Sequence, residues 1–127
     1  MAEFRTAKIE RHHSADFLEK AEQFHNGMID SMQRGDYAQA CSSAIHCVIS
    51  SCDAVTAFHL GLKSNSQRHE DQAQLVRRLT IPDAFEKSRQ ISQVISAKSR
   101  IEYSTEMPSQ KQALTLTLQA ERIYKWA

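Results

Sequence analysis

The sequence predicts an all-α fold, an up-and-down bundle of four to five helices, on three observations. Apolar residues recur every three or four positions along most of the chain. Only three glycines and two prolines interrupt its 127 residues. The stretch that alternates like a strand, ALTLTLQA at 113–120, finds no partner strand elsewhere and is flanked by good helix formers. The length is that of one domain with room for a core of its own. Residues 1–13 read as an N-terminal tail and 14–127 as the bundle, with no repeat or second domain.

The first helix starts near Ser14, an N-cap residue type, with Asp16 in its first turn. Phe17, Ala21, Phe24, Met28 and Met32 carry its apolar stripe, flanked by Leu18 and Ile29. Gly35 suits the position just past its end, and Asp36 is placed to cap the next helix. The RGD at 34–36 is therefore a helix junction, and so short a link folds the two helices into an antiparallel hairpin.

The second helix, Tyr37 to about Leu62, is the most informative. Tyr37, Cys41, Ala44, Ile45, Val48, Cys52, Val55 and Leu62 mark one stripe, and Ile49, Phe58 and Leu60 widen it. Up to Leu60 it contains no lysine, arginine or glutamate. Such a helix belongs at the centre of a bundle, and Gly61 ends it. A third helix runs from about Gln67, capped by Ser66, to Leu79, with Ala73, Val76 and Leu79 inward. Pro82 opens the fourth in its first turn. That helix carries Phe85, Ile91, Val94, Ile95 and Ile101 to Tyr103. After Met107-Pro108, the last helix sets Ala113, Leu116, Ala120 and Ile123 in register.

Sixteen basic residues against fifteen acidic ones leave no global field to attract nucleic acid or an anionic membrane. The opening MAEFRTAKIERHH lacks an apolar signal core, and no apolar run is expected to span a membrane. Cys41, Cys47 and Cys52 form no CxxC and sit in one helix. They read as small buried hydrophobes in a reducing cytosol.

Several polar residues interrupt this pattern. His46, Ser50 and Asp53 share a seam of the central helix, among small residues that allow close approach. Lys98 falls within the apolar stripe of the fourth helix. It either pairs, with Asp53 as the candidate partner, or carries its amine out along its own stem. The loop Lys63–Arg68 and His69, at a helix start, could hold a phosphate or carboxylate, though Glu70 and Asp71 compete for the same positive end. Otherwise it is an ordinary surface loop. The ExxH pairs Glu10–His13 and Glu22–His25 lack the facing-helix partners that di-iron bundles need, so no metal site is expected. No HExxH, GxSxG, glycine-rich phosphate loop or zinc spacing is present.

The stretch GDYAQACSSAIHCVISSCDAVTAFHLGLKSNSQRHEDQAQLVRRL at 35–79 precedes a Lys-x-x-x-x-Tyr late in the fourth helix and a last helix ending near Trp126. In that order and spacing it resembles HEPN (higher eukaryotes and prokaryotes nucleotide-binding) domains. Tyr37, His46, Asp53, Ala54, Gly61, His69, Lys98 and Tyr103 stand at the recurring positions. The resemblance implies a helical bundle, usually a homodimer. Many members are metal-independent ribonucleases, or pair with a small nucleotidyltransferase in toxin–antitoxin systems. The nuclease members look alike in an arginine followed, after a short spacer, by a histidine. This chain departs there, having no histidine from Arg100 onward, so the acid–base group for phosphodiester cleavage is missing. Arg5 and His12 match the spacing, but in the tail, where a chance match is the better reading.

The reading that follows is a cytoplasmic, homodimeric, HEPN-like module without catalysis or cofactor and away from membranes. It binds a nucleotide, RNA, or a protein partner such as a nucleotidyltransferase or antitoxin. Its binding or polar-network residues are His46, Asp53, His69, Lys98, Arg100 and Tyr103. The competing reading is a ribonuclease toxin with a rearranged site, His46 or His69 acting with Arg100, or a half-site completed by another chain.

Overall fold

The computed structural model describes residues 5–65 and 69–127, apart from the side chains of Ser99, Glu102 and Tyr103. It is a helical bundle with one small sheet. Strand β1 (Thr6–Lys8) and a 3-10 turn (Arg11–His13) lead into helices α1 (Ser14–Arg34) and α2 (Tyr37–Leu60). Strand β2 (Leu62–Ser64) follows, then α3 (Glu70–Arg77), α4 (Ala84–Ser96), α5 (Lys98–Tyr103) and α6 (Gln110–Trp126).

The α1–α2 hairpin turns where expected. Gly35 adopts a left-handed φ of 76°, and its N–H donates to the Met32 carbonyl at 3.1 Å. Asp36 N–H donates to the Ser31 carbonyl at 2.9 Å. The expected side-chain caps are not made. Helix α1 begins on Ser14 itself, with His13 at the capping position bonded through Nδ1 to the Asp16 carboxylate at 2.9 Å. Asp36 precedes α2 but accepts from Arg34 Nε at 3.1 Å, so its carboxylate is turned away from the helix.

Helix α2 is the axis of the fold, packed by α1, α3, α4, α5 and α6. From Ser50 through Ala57 every residue is buried, so its apolar character on all sides has a direct cause. By length and composition this helix could cross a membrane, contrary to expectation, but most of its surface is consumed inside the bundle. All three cysteines are free and buried. Burial pushes the Cys47 thiol up to about 12, against a smaller opposing bond from Ser51.

Gly61 ends α2 with φ 64°, and Leu62, expected to extend the helix, starts β2 instead. Strand β2 pairs antiparallel with β1, Thr6 opposite Ser64 and Lys8 opposite Leu62. Ile9 N–H donates to the Gly61 carbonyl at 2.9 Å, and Asn65 N–H to that of Arg5 at 2.9 Å. The supposed tail is thereby pinned to the end of the central helix. A three-residue strand lies below the length at which alternation can be read, which is why the sequence hid it.

In α3, Ala73 and Val76 face inward as predicted; Leu79 is buried too but lies beyond the helix, which ends at Arg77 rather than at Leu79, while the expected start at Gln67 and cap at Ser66 lie outside the described residues. Helix α4 starts two residues after Pro82, behind Asp83, the one non-glycine residue with positive φ (67°) among those described. Aspartate tolerates that conformation better than most residues, at a cost of about 1–2 kcal/mol. Phe85 was expected inward but is 57% exposed, with the Arg77 guanidinium 4.7 Å from its ring centroid. The predicted fourth helix is divided at Ala97, where the N–H reaches back to Val94 at 3.1 Å. Helix α6 begins with a reciprocal capping box. Gln112 N–H donates to Ser109 Oγ at 3.1 Å, and Ser109 N–H to Gln112 Oε1 at 2.8 Å. Ala113, Leu116, Ala120 and Ile123 complete the core as expected.

Candidate functional site

Asp53 sits on the seam of α2 that faces α3 and β2, and is only 8% exposed. A buried carboxylate needs a donor, and Gln72 of α3 supplies one: its Nε2 donates to Asp53 Oδ1 at 3.0 Å. The same Nε2 reaches the Ile49 carbonyl, one turn back on α2, at 3.3 Å. These two acceptors fix the orientation of the amide, because the flipped form would set oxygen against oxygen. Gln72 Oε1 is thus the atom left over, buried and without a hydrogen-bond partner among the described residues. Burial pushes the Asp53 carboxyl above its ordinary range, while Lys63, the Gln72 bond and Lys20 act in the opposite direction.

Asp53 and Gln72 line a cleft of about 510 Å³. Two cations and a histidine line it as well. Lys63 comes from β2, Arg5 from the residue before β1, and His69 from the N-terminal edge of α3. Lys63 Nζ also lies 5.6 Å from the Phe17 ring centroid, so α1 helps to hold it. The strand pair that the sequence concealed therefore builds this cleft, since it delivers both Arg5 and Lys63 to the buried carboxylate.

The proposed pairing of Asp53 with Lys98 is not what the structure shows. The cations acting on Asp53 are Lys63 of β2 and, from farther off, Lys20 of α1. Lys98 is half-buried at the first turn of α5. Arg100 is exposed in a different groove of about 480 Å³, between α4–α5 and α6. Lys111 and Glu106 stand beside it over a floor containing Ile101 and Leu116. None of the residues lining this groove lines the Asp53 cleft. His46 is half-buried and stacks on Phe24 of α1, ring centroids 5.3 Å apart. The Tyr103 side chain lies outside the described residues.

Of the six candidate residues, the cleft brings together Asp53 and His69. It adds Gln72, which sequence reasoning passed over. The signal was present: Gln72, Leu75, Val76 and Leu79 share one helical face, and all four are buried. A polar residue on an apolar stripe asks for a buried partner.

Chemically, the cleft offers carboxylate and amide acceptors on its floor and cations on its rim. The Asp53 carboxyl, raised by its burial, and the His69 imidazole are the cleft's groups able to exchange a proton. Compared with family models, curated proteins and solved structures, the chain matches none.

Proposed function

We propose that the chain is a HEPN-like, non-catalytic binding module that takes a nucleotide or a stretch of RNA in the Asp53 cleft. We place it in the cytoplasm as a homodimer. The observation that carries the reading is the polarity of the cleft. Arg5 and Lys63 on the rim suit phosphate. Asp53 and the unpartnered Gln72 Oε1 beneath suit the amino or imino hydrogens of a base. An unmet buried acceptor costs about 1–3 kcal/mol, which an incoming donor offsets. The separation of Arg100 from His69 favours binding over the rearranged nuclease site.

Calorimetric titration with the four ribonucleoside monophosphates and a short single-stranded RNA tests the reading. Saturable binding that weakens with salt, and at least tenfold in Lys63→Ala, is expected. Absence of binding at millimolar ligand sinks it. Incubation with RNA in the presence of chelator separates the competing class, because His69 shares the cleft with two cations. RNA cleavage that disappears in His69→Ala would assign a metal-independent ribonuclease instead. If only a protein such as a nucleotidyltransferase binds, the module is a protein-interaction domain.

A further inference from the structure

We infer that Glu10, His12 and His13 form a binding site for a divalent transition ion of the zinc class. One ligating atom from each side chain lies within 4.8 Å of the others. His12 Nδ1 is 3.2 Å from Glu10 Oε2, and the two imidazole rings stand with centroids 4.2 Å apart, tilted by 39°. Tetrahedral zinc with bonds of about 2.05 Å sets its ligand atoms about 3.3 Å apart. Side-chain rotations close the difference, since Glu10 and His12 are both exposed.

The backbone of this cluster is already ordered. His13 N–H donates to the Glu10 carbonyl at 3.0 Å, closing the turn. Ile9 is tied to Gly61 on one side, and α1 starts at Ser14 on the other. A site on a pinned turn loses less entropy on binding than one on a loose tail. Arg11, the cation between the ligands, is drawn off. Its Nε donates to the Phe58 carbonyl at 2.6 Å, and its guanidinium lies 4.9 Å from that ring centroid. Asp16 holds His13 Nδ1 at 2.9 Å, the carboxylate–histidine contact that orients metal-binding imidazoles. The positive end of α1 opposes a cation here, but at about fivefold in affinity at most, and Asp16 in the first turn offsets it.

Two imidazoles and a carboxylate select zinc, copper(II) or nickel over magnesium and calcium. Three protein ligands leave further positions to water, and Glu10, His13 and Asp16 line a cleft of about 430 Å³ that admits it. The three cysteines, all buried, do not compete for the ion.

Zinc chloride titrated into the tag-free, chelator-stripped full chain tests the site, by calorimetry and by equilibrium dialysis with metal analysis. One zinc per chain at micromolar affinity is expected, weakened at least tenfold in His12→Ala and in Glu10→Gln. Both substitutions are on exposed side chains, and circular dichroism verifies that each variant stays folded. Excess magnesium leaves the binding unchanged. Absence of one-to-one binding, a loss below threefold in the two variants, or equal displacement by magnesium overturns the inference.

Discussion

Replacing Gln72 with alanine probes a buried polar pair that joins α2 to α3. The substitution removes the Nε2 donor 3.0 Å from Asp53 Oδ1 and leaves a carboxylate that is 8% exposed without it. A hydrogen bond to a charged group contributes about 1.5–3 kcal/mol. The Ile49 carbonyl keeps its place in the helix ladder, and the unpartnered Oε1 disappears with the side chain, so part of the loss is returned. The net cost expected at pH 7 is about 2 kcal/mol, a drop in urea midpoint of roughly 1–2 M for a typical slope. Its pH dependence has a definite sign. Burial raises the Asp53 carboxyl above its ordinary 3.8 and the Gln72 bond lowers it, so losing Gln72 raises it further. A group whose folded pKa is raised binds its proton more tightly in the folded state. Stability is therefore lost as pH climbs from the unfolded value through the folded one, and is level above it. Gln72→Ala should widen that window and be least costly in acid, where a protonated Asp53 needs no donor. In an Asp53→Asn background the same change should cost about 1 kcal/mol or less, because only a neutral bond is lost. Urea denaturation of the four proteins at pH 4 and pH 7 decides it. Equal costs in both backgrounds, or a cost that grows in acid, would refute the reasoning.

Two further expectations follow from helix chemistry. Ser109→Ala removes both Oγ and the reciprocity of the α6 capping box, and should lower stability by about 1 kcal/mol. An unchanged thermal midpoint would show that the first turn of α6 does not depend on it. Gly27 lies inside α1, where an added Cβ would sit an ordinary 3.5 Å from Ser43 Oγ. Gly27→Ala should therefore stabilise the fold by about 0.5–1 kcal/mol through chain entropy, and a loss would mean that α1 and α2 pack closer than described.

Long, periodic elements were legible in the sequence, and short or paired ones were not. The α2 stripe, the glycine stops at Gly35 and Gly61, and the inward faces of α3 and α6 each follow from spacing over several turns. Capping failed at Ser14 and Asp36 because a side chain near a helix start can choose among several partners. The choices made, His13 with Asp16 and Arg34 with Asp36, depend on rotamers that composition does not reveal. Phe85 lies outside the core, its ring against the Arg77 guanidinium, a contact that spacing alone does not reveal. The candidate site failed for a related reason. Helical phase correctly placed Asp53 on a buried seam, but which element covers a seam is a property of topology. The covering elements proved to be α3 and the β1–β2 sheet rather than the fourth helix, and so Gln72 and Lys63 stand where Lys98 was expected.

Helix α2 also carries a hazard for the chain that contains it. Its partner α1 is one short turn away in sequence, but α6, which covers another of its sides, begins fifty residues after α2 ends. Before α6 docks, during synthesis or in a brief opening, a 24-residue helix without a lysine, arginine or glutamate stands bare along one flank. Such a surface adheres to lipid, to chaperones or to a second copy of itself. How long that flank stays bare before α6 docks sets the time in which such contacts can form.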